Sequence, residues 1–144
     1  MSEIIQTPKR IHLLGSGRHE EMRAAAAITP GMLLVMDADG KVVPHNSAAG
    51  PAEKAFALED ALQGRTIATD YAADELVAVV MASPGDVVYA LLSGGEKVNP
   101  SSFLNSNGDG TLQAGTTNAI AVALEAVDAS DSNNVNERIR VRIL

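Results

Sequence analysis

Two glycines and one aspartate supply the most enzyme-like spacing in the chain. Leu13-Leu14-Gly15-Ser16-Gly17 leads into a stretch of helix formers, and Asp37 ends a strand-like segment 20 residues after Gly17. In a dinucleotide-binding start, glycines let a pyrophosphate approach a helix N-terminus and an acid holds the ribose. Here the third glycine position is Glu20, a negative charge where phosphates would come close. The chain after Asp37 reads as a hairpin, not as a crossover helix. A small-molecule or nucleotide site at Gly15-Ser16-Gly17 therefore stands only as an alternative.

Other patterns fail in similar ways. Asn105, Asn107, Asp109 and Gly110 imitate the first half of a calcium loop, but Thr116 stands where the bidentate glutamate belongs. A glycine-rich hairpin turn explains the same residues. His12, His19 and His45 lack the i+4 spacing that sets two ligands on one helix face, and they read as solvated loop residues. No Gly-x-Ser-x-Gly elbow occurs. Glu59-Asp60 and Asp74-Glu75 are adjacent, so on a strand their side chains point to opposite faces as solvated charge. With no cysteine there is neither a disulfide nor a thiolate zinc site. These patterns call for no cofactor and no metal, and the chain reads as a protein that is not an enzyme.

The remaining candidates are contact residues. Arg138, Arg140 and Arg142 alternate with Ile139, Val141 and Ile143, which gives a strand with one basic and one apolar face. The basic face is either an edge guarded against aggregation or a contact for an acidic partner. Near the other terminus, Lys9, Arg10, Arg18 and Arg23 surround the apolar Ile11 and Leu13. The net charge of −7 is thus carried by an acidic body with basic ends. Such a balance suits no nucleic acid, because phosphate binding needs a concentrated basic face.

The elements that would position these residues are mostly short strands. Residues 1–27 read as an arm, with a short strand at Ile11 to Leu14 and a helix of barely two turns from His19 to Ala27. Such an arm becomes ordered on a partner surface. Residues 28–144 read as a β-barrel-like body. Pro30-Gly31, Asp39-Gly40, Pro84-Gly85 and Gly108-Asp109-Gly110 are turn signals. Between them fall strands at Met32 to Met36, Val42-Val43, Ile67 to Tyr71, Leu76 to Ala82 and Val87 to Leu92. Phe103-Leu104 and Leu112 flank the last of these turns. Ala55 to Leu62 reads as a strand followed by a short turn, or as one short helix, with the strand preferred. Ala119 to Val127 has helical composition, yet its neighbours argue for a strand, and a polar loop follows at Asp128 to Asn136.

Composition agrees with a thin-layered β domain. Apolar residues make up 46% of the 144, but alanine and valine dominate, and only two Tyr, two Phe and no Trp are present. That leaves little for an aromatic-lined pocket, and it counts against a carbohydrate-binding β module. No apolar run is long enough to cross a bilayer, and no secretory signal is expected, so no membrane contact is expected.

The order of features resembles the capsid decoration (cement) proteins of tailed bacteriophages. The residues that carry the resemblance are Ala27-Ile28-Thr29-Pro30-Gly31-Met32-Leu33-Leu34, the Asp39-Gly40 hairpin and Ser83-Pro84-Gly85-Asp86-Val87-Val88-Tyr89-Ala90. Asn107-Gly108-Asp109-Gly110-Thr111-Leu112, Ala121 to Asp128 and the closing Arg138 to Ile143 complete it. The resemblance implies a small barrel or sandwich of jelly-roll or β-tulip type with an extended N-terminal arm. It implies a virion protein, made in the bacterial host cytoplasm, that binds the outer capsid surface and bridges major capsid protein subunits. It also implies self-assembly, as a homotrimer in preference to a dimer. Lys9, Arg10, Ile11, Leu13, Arg18, Arg23, Arg138, Arg140 and Arg142 would then be the capsid or partner contacts.

Overall fold

The computed structural model describes residues 7–130 and 135–144. Residues 1–6 of the expected arm and 131–134 of the expected polar loop lie outside the described residues. The first strands are β1 (His12–Leu14), β2 (Arg18–Arg23), β3 (Leu34–Met36), β4 (Val42–Pro44) and β5 (Ala55–Ala57). A single 3-10 turn at Ala61–Gln63 precedes β6 (Leu76–Met81), β7 (Val87–Leu92), β8 (Lys97–Val98) and β9 (Phe103–Ser106). The chain ends with β10 (Leu112–Ala114), β11 (Ala121–Ala123), β12 (Val127–Asp128) and β13 (Glu137–Ile143). Among the described residues, strands and isolated bridges hold 41% and helix 2%, so the fold is mainly β.

The alternation along β13 closes the main sheet. Ile139, Val141 and Ile143 point inward and are buried. β13 pairs with β11 on one side and, over six residues from Glu137↔Leu92 to Arg142↔Val87, with β7 on the other. Together with the pairings β7–β10, β10–β9 and β9–β11, this makes a closed ring of five strands. Val88, Ala90, Leu92, Leu104, Leu112, Ala121 and Ala123 fill its interior. Several of these are alanines, as a narrow barrel interior requires. β1 adds to β7 from outside the ring.

The second layer is the sheet β2-β6-β5. Period-two alternation sends successive side chains of β5 and β6 into two different cores, while β2 is largely exposed. Phe56 and Val80 are cross-strand partners and join the barrel core. Ala55, Ala57, Val77 and Val79 face the other way, into a second core with Leu34 and Val42 of the β3–β4 hairpin.

The expected strand-and-turn order is observed at Ala55 to Leu62, and Ala119 to Val127 forms strands and no helix. Two expectations fail. His19 to Ala27 is not a helix, because Arg18 to Arg23 pairs residue for residue with Met81 to Leu76. That ladder satisfies backbone groups which two isolated helical turns would leave half unpaired. Ile67 to Tyr71 is not a strand, since Thr66 turns the chain through Thr69 N–H to its carbonyl and Ala68 N–H to its hydroxyl. Only Tyr71 bridges, to Ile28. The described part of residues 1–27 forms β1 and β2. Within it Ile11 and Ala24 are fully buried, and β1 and β2 join two different sheets.

Candidate partner-binding surface

The Gly15-Ser16-Gly17 turn does cradle an anion, but the anion is the chain's own. The Asp86 carboxylate, 2% exposed, accepts the N–H groups of Gly17 at 2.9 Å, Ser16 at 3.2 Å and Ser83 at 3.2 Å. A Cβ on Gly15 would lie 1.9 Å from Asp86 Oδ1, and one on Gly17 would lie 2.4 Å from Oδ2. The glycines are therefore there for close approach of a side chain, and a phosphate would meet a carboxylate in its place. This removes the nucleotide alternative on geometric grounds.

His12 Nε2 lies 3.1 Å from the same carboxylate, and its Nδ1 lies 2.8 Å from His19 Nε2. With Nε2–H donating to Asp86, His12 Nδ1 accepts from His19 Nε2–H. His45 is fully buried, with Nε2 on the Pro51 carbonyl at 2.9 Å and Nδ1 on the Ser106 hydroxyl at 2.6 Å. His12 and His45 are thus structural links and not solvated loop residues, because each meets a partner brought from a distant part of the chain, whereas His19 is exposed on β2 and meets only His12. The calcium-like residues also turn inward on the protein. Asn105 Nδ2 donates to the Thr117 carbonyl, and Asp109 accepts from both the backbone and the hydroxyl of Thr111. Burial alone would raise the Asp109 pKa, yet these bonds outweigh it and hold the carboxyl below its usual range. Among the described residues no group of three or more His, Cys, Asp or Glu could hold a metal.

The arginine stripe divides into three environments. Arg138 is half-buried and donates to the Pro30 carbonyl at 3.0 Å and the Ile67 carbonyl at 2.6 Å. Burial lowers its pKa. Arg140 pairs with Glu125 at 3.1 Å. Arg142 is exposed and has no acceptor among the described residues. The stripe is therefore not one basic face: the barrel wall is covered at the Arg138 end and open at the Arg142 end.

The N-terminal candidates are scattered too. Ile11 is core, Leu13 is half-buried, and Lys9, Arg10, Arg18 and Arg23 are exposed. Arg18 pairs with Glu20 at 2.7 Å and Arg23 donates to the Asp74 carbonyl at 2.6 Å. Sequence reasoning missed Asp86, whose place after Pro84-Gly85 marked it only as a turn residue. It also missed the exposed Leu14 and Leu62, 67% and 98% accessible. No local signal marks either, since exposure depends on which strands cover them.

No family model matches the chain, and no curated protein matches it. Among solved structures, the fold is similar to the crystal structure of the N base of the head fiber protein gp8.5 of bacteriophage phi29. The TM-score is 0.59 at 13% identity, over 90% of this chain and 95% of that one. At that identity the likeness is one of fold.

Proposed function

We propose that the chain is a bacteriophage virion structural protein that decorates the outside of the icosahedral head. In this reading it binds major capsid protein subunits, bridges neighbours and stabilises the shell as a cement protein, assembling with copies of itself. It catalyses nothing and needs no cofactor. The observation that carries the reading is the likeness of fold, along nearly the whole of both chains, to a head-fiber base. Two independent features support it. The glycine turn is filled internally by Asp86, and the sequence itself resembles capsid decoration proteins. Weak contacts repeated over a symmetric shell reinforce one another by avidity.

The test is to mix purified protein with expanded, undecorated shells of the phage that encodes it. The expected result is co-sedimentation and a higher temperature of shell disruption. Absence of binding to those shells would remove the proposal.

A further inference from the structure

β2 is an edge strand with an unpaired outer side. Within its sheet it pairs with β6 alone, and past its end the Ala24–Val42 bridge adds one contact. Ala24 N–H donates to the Glu75 carbonyl, and the register runs unbroken from there to Arg18↔Met81. Bonded pairs alternate along an antiparallel ladder, so Arg18, Glu20 and Met22 bond β6. The backbone N–H and C=O groups of His19 and Glu21 point away from β6 and have no partner among the described residues. Such an edge is a template for an added strand.

The two sheet faces beside that edge differ in chemistry. On the face carrying His19, Glu21 and Ala78, a groove of about 720 Å³ lies between the sheet and the loop around the 3-10 turn. Glu20, Glu21, Glu59 and Asp60 line it, with Arg10 as its one arginine and no lysine. Leu62 and Leu76 add exposed aliphatic surface. The Glu21 carboxylate makes no ion pair among the described residues. On the opposite face, where Met22 and Met81 pack on the second core, lies a groove of about 460 Å³. Met36 and Val42 wall it too, and apart from Glu53 every residue lining it is apolar. Methionines adapt to side chains of varied shape.

We infer that an extended segment of another protein, with basic and apolar side chains in alternation, adds to β2 as an antiparallel strand. Residues opposed in a bonded pair point to the same face. The residues that bond His19 and Glu21 therefore send basic side chains into the acidic groove. Their aliphatic stems lie on Ala78 and Leu62, and their charged heads reach Glu21 and Asp60. The intervening residues send apolar side chains towards Met22 and Met36. Charge complementarity selects this partner, and no free segment of the chain itself matches it. The chain's own basic–apolar alternation, Arg138 to Ile143, is already paired with β7 and β11. Residues 1–6 and 131–134 contain no lysine or arginine. The inference rests on the protein-binding reading proposed above and names the kind of segment bound.

Calorimetric titration of the full chain with a short capped peptide of alternating arginine and valine tests it. Saturable binding is expected, and a glutamate–valine peptide should not bind. N-methylation of the arginines removes the N–H groups that meet β2 and should abolish binding. N-methylation of the valines, whose N–H groups point outward, should preserve it. Glu21→Lys and Met36→Asp, both at exposed sites, should each weaken binding by about tenfold, with circular dichroism as in the wild type. No binding of the arginine–valine peptide would overturn the inference. So would binding that survives methylation of the arginines or the Glu21→Lys change. A mass above the 15.0 kDa of one chain that falls to it on Glu21→Lys would assign the edge to a second copy and overturn it too. If shells bind and the peptide does not, this surface falls and the shell reading stands. If the peptide behaves as expected and shells do not bind, the shell reading falls and this surface stands.

Discussion

Gly17 N–H donates to the Asp86 carboxylate at 2.9 Å across 69 positions of sequence. That bond, with those from Ser16 and Ser83, ties the β1–β2 connection to the turn before β7. Because β1 pairs with the barrel strand β7 and β2 belongs to the second sheet, Asp86 holds the two layers at one point. Replacing it with alanine leaves three N–H groups without their acceptor and should cost about 3 kcal/mol. The urea midpoint should fall with an unchanged slope. Gly15→Ala should also destabilise, since Gly15 has φ +116 and its added Cβ would overlap Asp86.

Tyr71 predicts an alkaline limit. Its hydroxyl donates to the Leu58 carbonyl at 2.7 Å in a buried site, and burial pushes its pKa up to about 12. The unfolded value is about 10. A folded pKa above the unfolded one gives stability that is complete below about pH 10 and is lost as pH rises towards 12. Tyr71→Phe should remove Tyr71's share of that dependence. It should also cost about 1–3 kcal/mol at neutral pH, through the Leu58 carbonyl left unpaired. Urea midpoints against pH for the two proteins give both numbers.

The three arginines of β13 should rank by environment and not by sequence. Arg138→Ala strands two carbonyls and should cost about 2 kcal/mol or more. Arg140→Ala breaks a half-exposed pair and should cost at most about 1 kcal/mol. Arg142→Ala should leave stability within about 0.5 kcal/mol. Thermal unfolding of the three variants checks the order.

His45 links Pro51 to Ser106 inside the protein. His45→Ala removes both hydrogen bonds and leaves a void, and should destabilise by about 2–4 kcal/mol. His19→Ala, at an exposed site, should cost far less. Denaturant titration of both distinguishes the buried link from the surface one.

Much of the barrel was legible because its signals are local. Asp39-Gly40 and Gly108-Asp109-Gly110 specify their own hairpins, and the alternation of β13 names its buried face. What was illegible depends on distant partners. Arg18 to Arg23 holds good helix formers, and only the β6 ladder makes it a strand. The glycine turn at 15–17 shows that something approaches closely, but not that Asp86 does. The arginines of β13 look alike until Pro30, Ile67 and Glu125 are brought to two of them.

Electron cryomicroscopy of expanded shells incubated with the protein tests the central claim most directly. The account predicts added density of the size of this barrel on the outside of the shell, at contacts between major capsid protein subunits. An outer surface unchanged from that of shells without the protein would contradict it.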